Sequence, residues 1–254
     1  MVKAKKHLGQ HFLRNDGIAR DIAEALSHKG YKKVLEIGPG TGVLSHFLLE
    51  GPSELFVAEI DVESVEYLEQ NFEALQQHII PGDFLRLNLA ELMGEPFALI
   101  GNYPYNISSQ IIFKMLDHVE LIPEMVGMFQ KEVADRLTAE PGSKTYGILS
   151  VLAAAFYDRE FLFTVDPSEF IPPPKVFSGV IRFRRKEDYS LAVDRDLFRR
   201  IVKTAFNQRR KTLRNALKAL NLPLDGIAAD ILQKRAEQLH YSEFVHLTEI
   251  LSSP

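Results

Sequence analysis

The apolar run Lys33-Val34-Leu35-Glu36-Ile37 stops at Gly38-Pro39-Gly40-Thr41-Gly42 and gives way at once to a second apolar segment, Val43 to Leu49. A short, almost unbroken apolar run reads as a strand buried on both faces, which requires a parallel sheet covered by helices. The glycines make a turn with no side chains in the way, so backbone at the start of the following helix can approach a ligand closely. Their spacing narrows the ligand. The dinucleotide fingerprint G-x-G-x-x-G needs glycine at position 43, where this chain has Val43, and a nicotinamide dehydrogenase is thereby disfavoured. G-x-G-x-G after an acid-bearing strand suits the methyltransferase variant of the fold, whose cofactor has no pyrophosphate to cradle.

The same grammar of strand, polar end and helix repeats. Leu55 to Ile60 reads as a second strand with Glu59 near its carboxyl end. That is about 20 residues beyond Gly38, where a doubly wound fold places the acid that grips a ribose diol. Asp61 reads as the N-cap of a helix from Val62 to Leu75. A third, short strand, His78 to Ile80, leads into Pro81-Gly82-Asp83-Phe84. Asp83 can accept a hydrogen bond from an adenine amine and Phe84 can pack on the ring; a turn with an Asp cap is the plainer alternative.

The fourth strand, Phe97 to Gly101, delivers Asn102-Tyr103-Pro104-Tyr105 ahead of a helix from Ile107 to Leu116. Ligands of open α/β sheets bind outside the carboxyl ends of the strands. An Asn oxygen and a proline-held carbonyl can accept from an exocyclic amine, and a Tyr face can stack on a base. Each loop alone is an ordinary turn. Four in succession, each bearing ligand chemistry, are not.

Downstream, Met125 to Phe129 reads as a fifth strand, followed by a helix through Val133 to Leu137, and Ile148 to Phe156 as a buried helix. Phe161 to Val165 and Gly179 to Phe183 read as closing strands, joined by a proline-stiffened segment, Phe170-Ile171-Pro172-Pro173-Pro174. By sequence alone Phe170 reads as a core residue. The 254 residues suffice for one large α/β domain and a small appendage. No apolar run approaches the roughly 20 residues of a membrane span. There are no cysteines, hence no disulfides or thiolate metal sites, consistent with the cytosol. His7 and His11 are separated by Gly9 and lack a zinc-protease pattern, so no metal is expected.

Net charge is −4, but the charge is unevenly spread. Residues 182–214 hold twelve Lys or Arg against four acids, and residues 1–14 hold four basic residues and no acid. An acidic body with two basic segments suggests a polyanion partner. The polar stretch Lys186 to Arg195 marks a boundary between domains 1–186 and 187–254. Beyond it Leu197, Ile201 and Ala205 share a helical face, as do Leu213, Leu217 and Leu220. Further helices are expected over Ile227 to Leu232 and Phe244 to Leu251. Arg209, Arg210, Lys211 and nearby Arg214 are placed to hold phosphates between two helices.

These segments together resemble the ribosomal RNA adenine N6,N6-dimethyltransferase family. The matching stretches are Gly9-Gln10-His11-Phe12-Leu13, Glu36 to Gly42, Gly82-Asp83-Phe84, Asn102 to Tyr105, Phe170 to Val176 and Phe206 to Asn215. The family often has Leu at the position of Tyr103 and an acid at that of Phe177.

The resemblance implies an α/β fold: a Rossmann-like class I methyltransferase domain, with a seven-stranded, mostly parallel sheet and helices on both faces, plus a small C-terminal all-α domain that binds RNA or the ribosome. It implies S-adenosylmethionine as methyl donor, held by His11, Leu13, Gly38, Gly40, Gly42, Glu59, Asp83, Phe84 and Asn102. Catalysis would fall to Asn102, Pro104 and Tyr105, with Phe170 shifted from core to a wall opposite Tyr105. The implied substrate is two adjacent adenosines in the 3′-terminal hairpin loop of 16S ribosomal RNA, within a precursor small ribosomal subunit. A cytoplasmic, metal-free monomer is expected.

The rivals are an Erm-like large-subunit enzyme, disfavoured by Asn207 to Asn215, and a non-catalytic RNA-binding assembly factor, disfavoured by the intact Glu59, Asp83 and Asn102. A DNA-adenine or protein-glutamine methyltransferase would carry Asn-Pro-Pro-Tyr, and Tyr103 argues against it.

Overall fold

The computed structural model describes residues 2–252; Met1, Ser253 and Pro254, the outer ends of the two expected domains, lie outside the described residues. By internal contacts the chain forms two compact units. One comprises Met1–Ala134 and Glu160–Arg185, the other Asp135–Arg159 and Lys186–Pro254. This partition differs from a single cut at 186/187, because residues 135–159 group with the C-terminal helices. The reason is in the helix Ile148–Phe156, whose residues from Leu149 to Phe156 are all buried. A helix apolar all round needs partners all round.

The first unit is built on a sheet. The strands of this sheet are β2 (Lys33–Ile37), β3 (Glu54–Glu59), β4 (Ile79–Pro81), β5 (Phe97–Asn102), β6 (Glu124–Gln130), β7 (Tyr157–Val165, of which residues 160–165 belong to this unit) and β9 (Ser178–Arg185), in the spatial order 4-3-2-5-6-9-7. The pairs 4-3, 3-2, 2-5 and 5-6 are parallel and 6-9 is antiparallel. Chain order reverses between β2 and β5, so a crevice opens at the carboxyl ends of these central strands. Two further strands, β1 (Phe12–Leu13) and β8 (Phe170–Ile171), pair antiparallel as a separate two-stranded ribbon.

The apolar runs are explained by burial on both faces. Val34, Val57, Ala98, Ile100, Val126 and Met128 join Ile22, Leu44 and Leu48 in one core cluster. Between them in the strands, Leu35 and Leu99 point to the opposite face and are equally buried. Helix boundaries shift by the caps. The first helix spans Asp16–Glu24, its start set by Asn15, whose Oδ1 accepts from Ile18 N at 3.2 Å. Asp61 caps Val62–Asn71 as expected, but the helix yields at Phe72 to a single 3-10 turn, Glu73–Leu75. The helix after Tyr105 spans Ser108–Asp117.

In the second unit, Arg195–Asn207 buries Phe198, Ile201, Val202 and Ala205, so its inner face is centred on Phe198 rather than Leu197. It packs on Ile148–Phe156 and on Tyr241–Ser252. Shorter helices, Leu213–Leu217 and Ala229–Gln233, complete the unit. No helix among the described residues is long and apolar enough to cross a membrane.

Candidate active site at the carboxyl edge of the sheet

The glycine turn supplies the floor of a cavity. Gly38 and Gly40 have φ of 66° and 58°, a left-handed backbone that favours glycine. A Cβ at Gly38 would meet nothing within 4 Å, so its missing side chain leaves open space at the cavity. A Cβ at Gly40 would lie 2.7 Å from the Phe12 ring, which packs on the turn. Gly42 departs from its expected role. It does not line the cavity; it N-caps Val43–Leu48 and lets the Phe72 ring approach its Cα.

Glu59 ends β3 in the same cavity. Its Oε2 accepts from Gly40 N at 3.0 Å and its Oε1 from Asp61 N at 2.8 Å. Burial raises the Glu59 pKa, and these N–H bonds oppose the rise. The carboxylate is therefore held in a fixed orientation at the cavity. Glu36, buried one strand over, is pushed up to about 8 by burial, offset by the Ser45 hydroxyl at 2.5 Å and reinforced by the charge of Glu59.

Across this edge lies a strap that the sequence motifs did not reveal as a unit. Lys5 pairs with Asp61, and Gln10 Nε2 reaches the other Asp61 oxygen at 3.4 Å. Burial opposes ionisation of Asp61, but Lys5, Gln10 and Ser64 hold its carboxyl below the usual range. Gly9 turns left-handed with Asn106 Oδ1 2.7 Å from where a Cβ would be. His11 Nδ1, opposite an oxygen that can only accept, donates to Pro172 O at 2.7 Å. The β1–β8 ribbon follows, with Phe12 opposite Ile171 and Leu13 opposite Phe170.

That ribbon fixes Phe170. The side chain is 2% exposed, sits in the core cluster and does not line the cavity. The expected wall opposite Tyr105 is thus not made by Phe170, whose apolar ring is worth more to the core than at the mouth. Instead the His11 ring stacks on Tyr105, centroids 5.5 Å apart at 27°.

The loop after β5 is held from several sides. Asn102 Nδ2 donates to His11 O at 2.8 Å. Tyr103 is wholly buried, its ring seated over Gly101 and Gly127, and burial raises its pKa well above the ordinary value. Pro104 O accepts from Ile107 N at 3.2 Å, leaving one lone pair. The Tyr105 hydroxyl bonds Ser178 Oγ at 2.6 Å. Asp83 caps the turn Phe84–Arg86 through Leu85 N at 3.0 Å, and Phe84 lies under Lys114 Nζ, 5.1 Å from the ring centroid.

His11, Leu13, Gly38, Gly40 and Glu59 line this one cavity together with Asp83, Phe84, Asn102, Pro104 and Tyr105. For Lys5, Gln10 and Phe12 the sequence offers only the basic start and the motif around Gly9, and Asp61 reads there as an N-cap alone. In the second unit Arg210, Lys211 and Arg214 are exposed. Arg209 is not free: it donates to Lys144 O at 3.0 Å and Ser143 O at 3.1 Å, and its Nε lies 3.5 Å from Glu237.

The cavity thus joins a glycine floor, the carboxylates of Glu59 and Asp83, and the Asn102 amide. A family described as ribosomal RNA adenine dimethylase matches residues 1–251. A ribosomal RNA small subunit methyltransferase A from Flavobacterium johnsoniae is 60% identical over 98% of this chain and 95% of its own. The protein so named from Cytophaga hutchinsonii is 56% identical over 99% and 98%. Among solved structures, a dimethyladenosine transferase from Plasmodium falciparum superposes with a TM-score of 0.80 at 29% identity, covering 93% of this chain and 96% of that one. The 23S rRNA methyltransferase ErmE gives 0.73 at 24% identity over 95% and 100%, a likeness of fold alone.

Proposed function

The chain belongs to the ribosomal RNA adenine dimethylase family, and on that premise we propose that it dimethylates N6 of two adjacent adenosines in the 3′-terminal hairpin loop of 16S ribosomal RNA. S-adenosylmethionine, when bound, supplies an electrophilic methyl group. One feature of the cavity supports this reading: the open space over Gly38 admits a ligand where a side chain would intrude. Glu59 would hold the ribose hydroxyls, and Asp83 and Phe84 the adenine ring of the donor. Leu13 adds an apolar wall and the His11 segment closes the rim.

The observation that carries the reading is the Asn102 amide. Its nitrogen is committed to the His11 carbonyl at 2.8 Å, so Oδ1 is the free end, an acceptor. The N6 lone pair of adenine is delocalised into its ring and is a poor nucleophile. Asn102 Oδ1 accepting one amine hydrogen lets the nitrogen pyramidalise, and the bond strengthens as positive charge develops. The remaining lone pair of Pro104 O takes the second hydrogen. Methylation leaves a cationic nitrogen that releases one proton to solvent, after which only one hydrogen is left, so one acceptor is dispensable for the second transfer. Tyr105 supplies a ring face for the base; His11 already covers the other.

Arg210, Lys211 and Arg214 would hold RNA phosphates in the second unit. The reaction is read as metal-free, the protein as a cytoplasmic monomer. The test is transfer of radioactive methyl to undermethylated small subunits, with the label mapped to the 3′-terminal hairpin of 16S RNA. Label confined to large-subunit RNA would overturn the assignment.

A further inference from the structure

The exposed large apolar side chains of the first unit sit in two places. Ile60 and Val62 follow Glu59, and Ile171, Val176 and Phe177 lie on and after β8, 57%, 44% and 50% exposed. Phe177 is the only exposed aromatic ring among them. It stands immediately before Ser178, whose hydroxyl bonds the Tyr105 hydroxyl at 2.6 Å. Its backbone is anchored, because Lys131 N donates to Phe177 O at 2.8 Å. The half-exposed ring is thus one residue from the residue that fixes Tyr105, on an ordered backbone.

We propose that Phe177 is a stacking platform for the base next to the target adenosine. An exposed aromatic on an ordered backbone suits single-stranded nucleic acid, whose unstacked bases each offer a π face. The charge around it suits the same partner: Lys175 and Arg14 are exposed cations with no ion pair among the described residues. Arg14 is held beside the ribbon through its N–H to Glu169 O at 3.0 Å. The target base enters at Asn102 to Tyr105 while its neighbour, unstacked by that extrusion, lands on Phe177. Two adjacent targets would exchange places between these positions, one base on the platform while the other is in the cavity.

This inference rests on the functional reading above and is tested so that the two can fail separately. The probe is the small-subunit hairpin RNA with 2-aminopurine beside one target adenosine, bound to the whole protein with S-adenosylhomocysteine. Stacking quenches the probe in wild type; Phe177→Ala and Phe177→Leu restore its fluorescence, and Phe177→Tyr keeps the quench. Phe177→Ala weakens RNA binding about tenfold while cofactor affinity is unchanged, a split that a merely structural role would not give. Unchanged quenching and RNA affinity in Phe177→Ala, with methyl transfer intact in wild type, would overturn the platform alone. Absence of methyl transfer to small subunits by wild type would overturn the functional reading and the platform with it.

Discussion

Asn102 Nδ2 lies 2.8 Å from the main-chain oxygen of His11, across 91 positions of sequence. A carbonyl oxygen can only accept, so this bond assigns the amide orientation. His11 is itself fixed by its Nδ1 bond to Pro172 O and by its stack on Tyr105. The N-terminal strap therefore orients the Asn102 amide, and it joins the β3 side of the cavity, at Asp61, to the β5 side, at Asn102.

Asn102→Ala should leave cofactor affinity within about tenfold, or ~1.4 kcal/mol, yet lower kcat at least about a hundredfold, since a transition-state hydrogen bond is removed. Asn102→Asp should do worse, because a carboxylate would face the His11 carbonyl with no donor between them. Calorimetric cofactor binding and single-turnover methyl transfer measure both. Equal losses in affinity and turnover for Asn102→Ala would make Asn102 chiefly a cofactor ligand.

Tyr103 and Gly127 should be energetically coupled. A Cβ at Gly127 would overlap the Tyr103 ring, and one at Gly101 would lie 2.9 Å from it. Gly127→Ala overpacks a site with no slack and should cost about 3 kcal/mol. In a Tyr103→Leu background the same change should cost less than half as much. Denaturant unfolding of the two single variants and the double variant gives the coupling.

The strand ends were legible because each is a local event: an apolar run stops, and a polar or glycine residue stands at the stop. That signal marks Gly38, Glu59, Asp83 and Asn102, four residues that line one cavity. The strap was not legible. Its strands are two residues long, too short for a period, and its partners at Asp61, Asn102 and residues 169–172 are distant in sequence. Phe170 shows the opposite lesson. Its apolar character pointed to the core, the resemblance pointed to the cavity, and the β1–β8 pairing puts the ring in the core. Residues 135–159 were assigned by sequence order, but the burial of Ile148–Phe156 groups them with the C-terminal helices.

Glu36 should make stability pH-dependent. Its folded pKa of about 8 lies above the ordinary 4.5, chiefly through burial. Between those values the folded state holds a proton that the unfolded state has released, so stability falls as pH rises through the window and the penalty is complete above about 8. Glu36→Gln removes the titration and keeps an oxygen for the Ser45 hydroxyl. Thermal unfolding should show the variant gaining on wild type as pH goes from 5 to 9, by a few kcal/mol at most (~1.4 kcal/mol for each pH unit between the folded and unfolded pKa). Parallel curves would mean that Glu36 ionises as an ordinary carboxyl.

Arg209 and its basic neighbours should separate by the kind of loss. The Arg209 guanidinium binds the carbonyls of Ser143 and Lys144 and approaches Glu237. It therefore staples the loop before Ile148–Phe156 to the C-terminal helices of its unit, and Arg209→Ala should lower stability by about 1–3 kcal/mol by leaving acceptors unpaired. Arg210, Lys211 and Arg214 are exposed, and replacing all three by Gln should leave the unfolding midpoint nearly unchanged. That triple variant should instead flatten the plot of log affinity for RNA against log salt, by roughly 0.7 to 0.9 for each phosphate no longer neutralised. Filter binding across a salt series, paired with thermal unfolding, distinguishes the two. A triple variant with the wild-type slope would remove these residues from the RNA interface, and an Arg209→Ala variant of unchanged stability would mean that the staple carries no energy.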